Sequence, residues 1–414
     1  MPDIDVRVID PADYPAWFEA LETAFFVWGR NDHEATAALR REKVDLTRVR
    51  GAYEGATIAG TFRSFGSELT VPGGGTIPAG AVTAVTVRPT HRRRGILTAM
   101  VAADLRASVE LGEVASVLIA AEYPIYGRFG YGHATNRANW TVRTRAARLV
   151  GEATGSVEIL EPAAALPILP GIFERYRRSQ PGEVLLPDYH WGLELGLEDW
   201  SPNPRFKGFV AVHRDAGGEP DAYARYHGDE KWDEGIPDNV LVLDELHAAT
   251  PEAEREMWRY LTSMDLIATI KASSRSVADP LPWWLTDARA ARITAIDDHL
   301  WVRILDVERA LSARTYESDG VLIVEVADVL SGQAGPAAGR YRLVARDGVG
   351  SCERTTAEPD LTLTVRALGS AYLGGTRLVD AGRSGGIVEH HPGALLAADR
   401  LFRTAATPWC SNGF

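Results

Sequence analysis

Between Ala81 and Met100 the chain reads AVTAVTVRPTHRRRGILTAM, and no other stretch restricts the possible folds as tightly. Val85 and Val87 share one face of an extended segment, and Thr86 takes the other. Pro89, which has no N–H to give to a ladder, ends that strand. Arg92, Arg93, Arg94 and Gly95 follow, and then Leu97, Met100, Val101, Leu105 and Val109 recur at helical spacing. This order predicts a strand feeding a basic turn that opens a helix. The first helical N–H groups lack internal partners, the helix dipole is positive there, and arginine adds paired donors, so the turn can hold a phosphate. The plain alternative is a solvated basic turn. A formal net charge of −12 makes this cluster run against the rest of the chain and favours the phosphate.

The acidic balance excludes the broad basic face that bulk nucleic-acid binding needs. No segment offers the ~18 apolar residues of a membrane span, and MPDIDVRVIDPADY lacks the basic start and apolar run of a signal peptide. The two cysteines, Cys352 and Cys410, form neither a disulfide framework nor a metal motif, which fits a reducing cytoplasm. His390-His391 and Asp297-Asp298-His299 lack a third ligand in helical frame, so no metal is expected. The 414 residues exceed one compact core and divide into two or three domains.

Taken in order, residues 4–10 read as a strand, and Asp10 and Asp13 as caps of a helix bearing Trp17, Phe18, Leu21 and Phe25. Phe25, Phe26 and Trp28 form an aromatic knot before Asp32, either core packing or a wall of a substrate pocket. Strands are expected at Ala52–Tyr53 and Ile58–Phe65, with TVPGGGTIPAG as turn throughout. Val114–Ala121 suits a buried strand. Behind it, in EYPIYGRFGYG, Tyr126 is either half-buried packing or a phenol aimed into a cleft. Residues 150–167 loosen into a linker. A second strand-to-helix junction, LHAATPEAERE, is acidic where the first is basic and reads as a degenerate copy. Trp283 and Trp284 are expected to pack a domain junction. From Leu300–Leu305 onwards a mostly antiparallel α+β pattern sets in, closing with a helix over Ala394–Phe402.

VTVRPTHRRRGILTAM resembles the acetyl-CoA motif of the GCN5-related N-acetyltransferases (GNAT). THRRRGILTAM, IYGRFGYG, DPLPWWLTDAR, HLWVRILDVERAL and LGSAYLGG together resemble the enhanced intracellular survival (Eis) acetyltransferases of actinobacteria. The resemblance implies a mixed α/β and α+β chain: a GNAT domain (1–150), a degenerate GNAT-like domain (151–299) and a sterol-carrier-protein-like domain (300–414). It implies a homohexamer, a trimer of dimers, that acetylates amines of aminoglycoside-like polycations. Acetyl-CoA then maps to Val85, Thr86, Val87, Arg93, Arg94, Gly95, Ile96, Leu97, Thr98, Ala121 and Glu122. Tyr126 matches the family's general acid and the carboxylate of the terminal Phe414 its general base; Phe25, Trp28 and Asp32 are substrate-wall candidates. The chain departs from relatives at Gly413 and Ile119, where an acidic residue and a histidine can stand.

The chemistry sets two demands. A tyrosine of pKa about 10 protonating a thiolate of about 8.5 works slightly uphill, so a pocket that lowers the tyrosine would help. A terminal carboxyl near ~3.5 is a weak base towards an alkylammonium near ~10, and has to be desolvated, work through water, or orient the amine. An acidic cleft is expected to attract a cationic acceptor. Two other readings stand beside this one: a lipid or sterol carrier working through the C-terminal domain, and a peptide or protein lysine acetyltransferase.

Overall fold

The computed structural model describes residues 4–27, 32–198 and 206–414. Among them the chain forms two seven-stranded sheets, one five-stranded sheet and two short ribbons. The first sheet is built from β1 (Asp5–Val8), β2 (Val49–Glu54), β3 (Thr57–Thr70), β4 (Thr76–Val87) and β5 (Ala115–Ile119) in spatial order. Between β4 and β5 runs the helix Ile96–Glu110, with Ile96, Met100, Val101 and Leu105 buried against the sheet.

The next step breaks the linear order. The strand beside β5 is Leu300–Ile304, in register from Leu300↔Ile119 to Ile304↔Ala115, and β6 (Gly132–His133) pairs with its far side. In exchange β7 (Asn136–Arg143) leaves for the second sheet, where it lies between Ile267–Arg275 and Ala291–Asp298. Each of the two sheets is therefore completed by a strand from the other half of the chain. Leu300–Ile304 does not open the C-terminal domain, as its sequence suggested. All five of its side chains are buried, the pattern of a strand covered on both faces.

The second sheet repeats the first. Asn239–Ala248 and Ile267–Arg275 pair in parallel across the helix Pro251–Thr262, which Thr250 caps by accepting from the Ala253 amide at 3.1 Å. Ser156–Leu160, read from its loose composition as linker, forms the edge strand against Phe209–Arg214. Thr76–Gly80, read as turn, belongs to β4. Pro78 is tolerated there because it uses its carbonyl, which accepts from Val114 N at 2.8 Å. Trp283 packs no junction; it points outward from the short helix Leu281–Trp284, whose Leu281 faces the core.

In the C-terminal domain Gly320–Ala327 and Leu361–Thr364 run parallel and the other pairs antiparallel. The strand Leu361–Thr364 passes directly into the helix Val365–Ala371, because the Thr364 hydroxyl accepts from Ala367 N at 3.1 Å. This domain's interior is filled by its own Leu322, Val324, Leu343 and Leu368, and is continuous with residues under the first sheet such as Ala81, Val117 and Val302. At the junction, Arg303 is fully buried, bonded to both oxygens of Asp328 (2.9 and 3.0 Å) and to Phe129 O (2.6 Å).

Candidate active site

The β3–β4 hairpin carries the feature on which the site is built. Its register runs Thr61↔Thr86 and then Arg63↔Thr83, so Ala84 and Val85 together oppose Phe62. Ala84 takes the left-handed conformation (φ 53°) that such a bulge demands. Buried Thr61 pins it, donating to Ala84 O at 2.9 Å and sharing a 2.6 Å hydrogen bond with the Thr86 hydroxyl. Parallel pairing between β4 and β5 runs from Ala79↔Ala115 to Val82↔Leu118 and stops. Beyond it β4 continues to Val87, and its edge towards β5 has no ladder partner among the described residues. That unpaired edge is able to take an extended chain as an added strand.

That edge leads into the basic turn. Arg93 (φ 65°) and Gly95 (φ 79°) bend the backbone through left-handed positions, and the first helical return bond is Ala99 N to Gly95 O at 3.0 Å. The N–H groups of Ile96, Leu97 and Thr98 are thus left without helical acceptors. Arg94 is already committed: it donates to Glu54 at 2.5 Å, and His91 holds the same carboxylate at 2.8 Å. Arg92 and Arg93 are exposed, so the phosphate reading rests on backbone amides plus these two rather than on Arg94.

Tyr126 closes the short helix Tyr123–Tyr126 behind β5, its ring edge-on to Tyr131 at 5.9 Å. Its hydroxyl makes no hydrogen bond among the described residues, and burial, reinforced by the charge of Glu122, pushes its pKa up to about 12. The direction is opposite to the one the sequence reading asked for. Ala121 and Glu122 sit exposed between β5 and that helix.

The chain's last six residues are tied to the body of the protein. Trp409 and Cys410 are buried; Trp409 N donates to Pro181 O at 2.9 Å, and its indole to Ser274 O at 3.0 Å. Glu183, with no exposed surface, accepts from Ser411 N (3.0 Å) and from Asn412 Nδ2 (2.9 Å). His299 Nε2 meets Asn412 O at 2.9 Å. This path carries the Phe414 ring edge-on against Phe65, 5.7 Å between centroids. Phe414 there lines a cavity of about 650 Å³ whose walls include Thr83 and Arg63 from the hairpin and Tyr189 and Arg225 from the second half of the chain. The terminus and the residue just before the bulge therefore face one space.

The Acetyltransferase (GNAT) domain family matches residues 5–134, and a second family of the same description matches 186–304. The Sterol carrier protein domain family matches 307–411. An uncharacterized N-acetyltransferase of Streptomyces avermitilis is 41% identical over 418 residues, covering 100% of this chain and 99% of the relative. N-acetyltransferase Eis of Mycobacterium tuberculosis is 36% identical over 357 residues, 85% of this chain and 81% of the relative. The crystal structure of Eis1 from Mycobacterium abscessus superposes with a TM-score of 0.86 at 34% identity, covering 99% of this chain and 100% of that one. The chain belongs to the Eis family of GNAT N-acetyltransferases. It is an N-acetyltransferase with two GNAT domains followed by a sterol-carrier-type domain.

Within this Eis-type enzyme the structure brings Phe414 to β4, and sets Val85, Thr86 and Val87 beyond the bulge and Ile96, Leu97 and Thr98 at the helix opening. Phe25 and Asp32 are not among the described residues lining the cavity. Phe25 is exposed at the end of the helix Tyr14–Ala24, and Asp32 caps the helix His33–Arg41 by accepting from Ala35 N at 3.1 Å. Trp28 lies outside the described residues. Sequence reasoning missed Arg63, Thr83, Tyr189 and Glu183. Glu183 left a signal, as the lone charge in the apolar run GEVLLP; Arg63 left none, because alternation along β3 only marks it as one face of a strand.

The wall is also less acidic than expected. Arg40, Arg63, Lys207 and Arg225 stand against Glu194, Glu198, Asp244 and the terminal carboxylate. Among the described residues no helix is long and apolar enough to cross a membrane.

Proposed function

We propose that acetyl-CoA binds along the unpaired β4 edge of the N-terminal domain and passes its acetyl group directly to the amine of a small molecule seated in the cavity below Thr83. One observation carries this reading: Thr83, the residue just before the strand bulge at Ala84, and the carboxyl-terminal Phe414 line the same cavity. The N–H groups of Val85 and Val87, which alternate away from β3, suit the pantetheine arm and a developing oxyanion, and the amides opening the helix Ile96–Glu110, with Arg93, suit the pyrophosphate. Lone-pair attack by the amine forms the C–N bond and breaks the C–S bond. The amine's proton passes to the Phe414 carboxylate, directly or through water. Tyr126, protonated throughout the neutral range, donates a hydrogen bond to the leaving sulfur. Full proton transfer from about 12 to a thiol of about 8.5 is uphill by ~5 kcal/mol, so this polar support matters more than a completed transfer.

A polycationic, aminoglycoside-like acceptor is what the resemblance implies, and the balanced charge of the wall gives it no electrostatic steering. The carrier alternative has less support, since the C-terminal interior is filled with the domain's own side chains. We further propose the homohexamer, with exposed Phe26 and Trp283 as candidate contacts; analytical ultracentrifugation reads it. The central test is thiol release from acetyl-CoA over a panel of amines, with Tyr126→Phe and a chain lacking Phe414. Each change is expected to lower kcat by about 10²-fold or more while acetyl-CoA binding holds. Parent-like kcat in either removes that residue from the mechanism, and no release with any amine removes the reading.

A further inference from the structure

The second sheet repeats the irregularity on which the site is built. Its parallel pairing stops at Leu243↔Ala272, and against Pro220–Asp229 the register passes from Leu243↔Tyr226 to Glu245↔Arg225, leaving Asp244 as an extra residue. In the first sheet the pairing stops at Val82↔Leu118 and the bulge stands at Ala84. Beyond that point the two sheets differ. The β4 edge has no ladder partner among the described residues, whereas the matching strand ends of the second sheet are joined by side chains. Arg275 donates to Leu246 O at 2.7 Å, from one parallel strand to the other. The Trp409 indole donates to Ser274 O at 3.0 Å, and its ring lies 6.5 Å from that of His247 on the opposite strand. Arg275, held by Asp279 at 2.8 Å and by Glu254, places its guanidinium 5.1 Å from the Trp409 ring. The helix Pro251–Thr262 carries Glu252 and Glu254 in its first turn, where the first domain has arginines, so a pyrophosphate is repelled there.

We propose that the second acetyltransferase-type domain uses these strand ends as a dock for the chain's own tail instead of a cofactor, with Trp409 and Arg275 as positioning residues for the Phe414 carboxylate. Trp409 is buried in one cluster with Phe173, Tyr176 and Tyr223, all from the second domain. Just upstream the tail is fixed again, where Gln180 donates to Thr407 O at 3.1 Å. Phe414 follows Trp409 by five residues, a reach of at most about 18 Å. Anchored so close to its end, the tail keeps the carboxylate concentrated beside the cavity. Freed back to the helix Ala394–Phe402, it would be a tether of twelve residues, 403–414, and the carboxylate would be diluted accordingly. The plain alternative is an indole that only fills the second domain's core. That role predicts a loss of stability and nothing that depends on Phe414.

This inference rests on the reading of Phe414 as the amine's proton acceptor. The experiment measures coenzyme A release with the fastest of kanamycin, spermidine and a lysine peptide. It uses the parent, Trp409→Phe, Trp409→Ala, a chain lacking Phe414, and each Trp409 variant combined with that truncation. Carboxypeptidase release of Phe414 and calorimetric titration with acetyl-CoA accompany it. Trp409→Phe keeps most of the ring volume and loses one hydrogen bond, so Phe414 should be released about 3- to 10-fold faster. Trp409→Ala is expected to raise that rate further and to lower kcat at least ~10-fold, with KM for acetyl-CoA unchanged and one acetyl-CoA bound per chain. In the chain lacking Phe414 neither variant should lower kcat further, because a residue acting through the terminus has nothing left to position. Parent-like resistance to carboxypeptidase in Trp409→Ala, two acetyl-CoA sites per chain, or the same fractional loss of kcat with and without Phe414 would overturn the dock. Parent-like kcat in the chain lacking Phe414 would instead fail the proton-acceptor reading, and release with no amine the acetyltransferase reading. In both cases the carboxypeptidase comparison still decides the dock.

Discussion

Glu183 is the buried acceptor nearest the end of the tail that carries Phe414 to the cavity, and substitution there isolates its share of the docking. Glu183→Ala removes the acceptor of two close tail donors, Ser411 N at 3.0 Å and Asn412 Nδ2 at 2.9 Å, and of the longer Cys410 Sγ contact at 3.7 Å, with no solvent close by to replace it. A hydrogen bond to a charged or buried acceptor is worth about 1.5 kcal/mol at the low end, so the pair amounts to about 3 kcal/mol, a roughly 150-fold fall in the docked-to-released ratio. The loss is local. Trp409 and Cys410 stay anchored by burial and by the bonds to Pro181 and Ser274, so only Ser411–Phe414 are released.

The expected phenotype is therefore specific. Amine acetylation falls with the docked population, acetyl-CoA affinity by calorimetry is unchanged, and carboxypeptidase removes Phe414 faster than from the parent. Glu183→Gln retains a carbonyl acceptor for Ser411, and Asn412 can turn its amide to present oxygen to the new NH₂, so this variant should recover much of the rate. Parent-like turnover together with parent-like resistance to carboxypeptidase in Glu183→Ala would refute the clamp. Equal loss in the alanine and glutamine variants would refute the hydrogen-bond account of it.

Three further outcomes follow from the same structure. His299 is buried and bonded to the tail, and burial with Arg137 nearby lowers its pKa to about 4. The unfolded chain then binds the extra proton between about pH 6.5 and 4, so stability is lost as pH falls through that window, by about 3 kcal/mol. Burial raises Asp104 to about 6, which has the opposite sign, so the check is the difference between the parent and His299→Gln, read from chemical denaturation at pH 7 and pH 4. Asp328→Asn strips the charge partner from fully buried Arg303 and should cost about 3–5 kcal/mol, seen as a lower denaturation midpoint. A Cβ on Gly369 would stand 2.1 Å from Val302 O, so Gly369→Ala should force the helix Val365–Ala371 off the exchanged strand and cost at least ~1–3 kcal/mol by the same measurement.

What could be read in the chain divides along the range of the interactions. The turn from Val85 to Thr98 was legible because it is local: alternation, Pro89, Gly95 and the helical repeat lie within a few residues of one another. The helix Ala394–Phe402 was legible for the same reason. The strand exchange was not, since Leu300–Ile304 and Asn136–Arg143 have the composition of any buried strand, and register is decided by partners far away in sequence. Arg94 shows the complementary failure: its type and position suit a phosphate, yet Glu54, forty residues earlier, takes it first. The site combines both kinds of information. The proposed cofactor half is written in one continuous stretch. The proposed acceptor half is assembled from β3, the region around Tyr189 and the last residue of the chain, and Glu183 and His299 join these parts. The two halves can therefore change independently. Substitutions at cavity-facing positions such as Arg63 or at the tail, unlike those at Thr61, are expected to alter which amine is accepted without disturbing the bulge, so relatives sharing this cofactor turn are expected to differ in acceptor where the cavity lining differs.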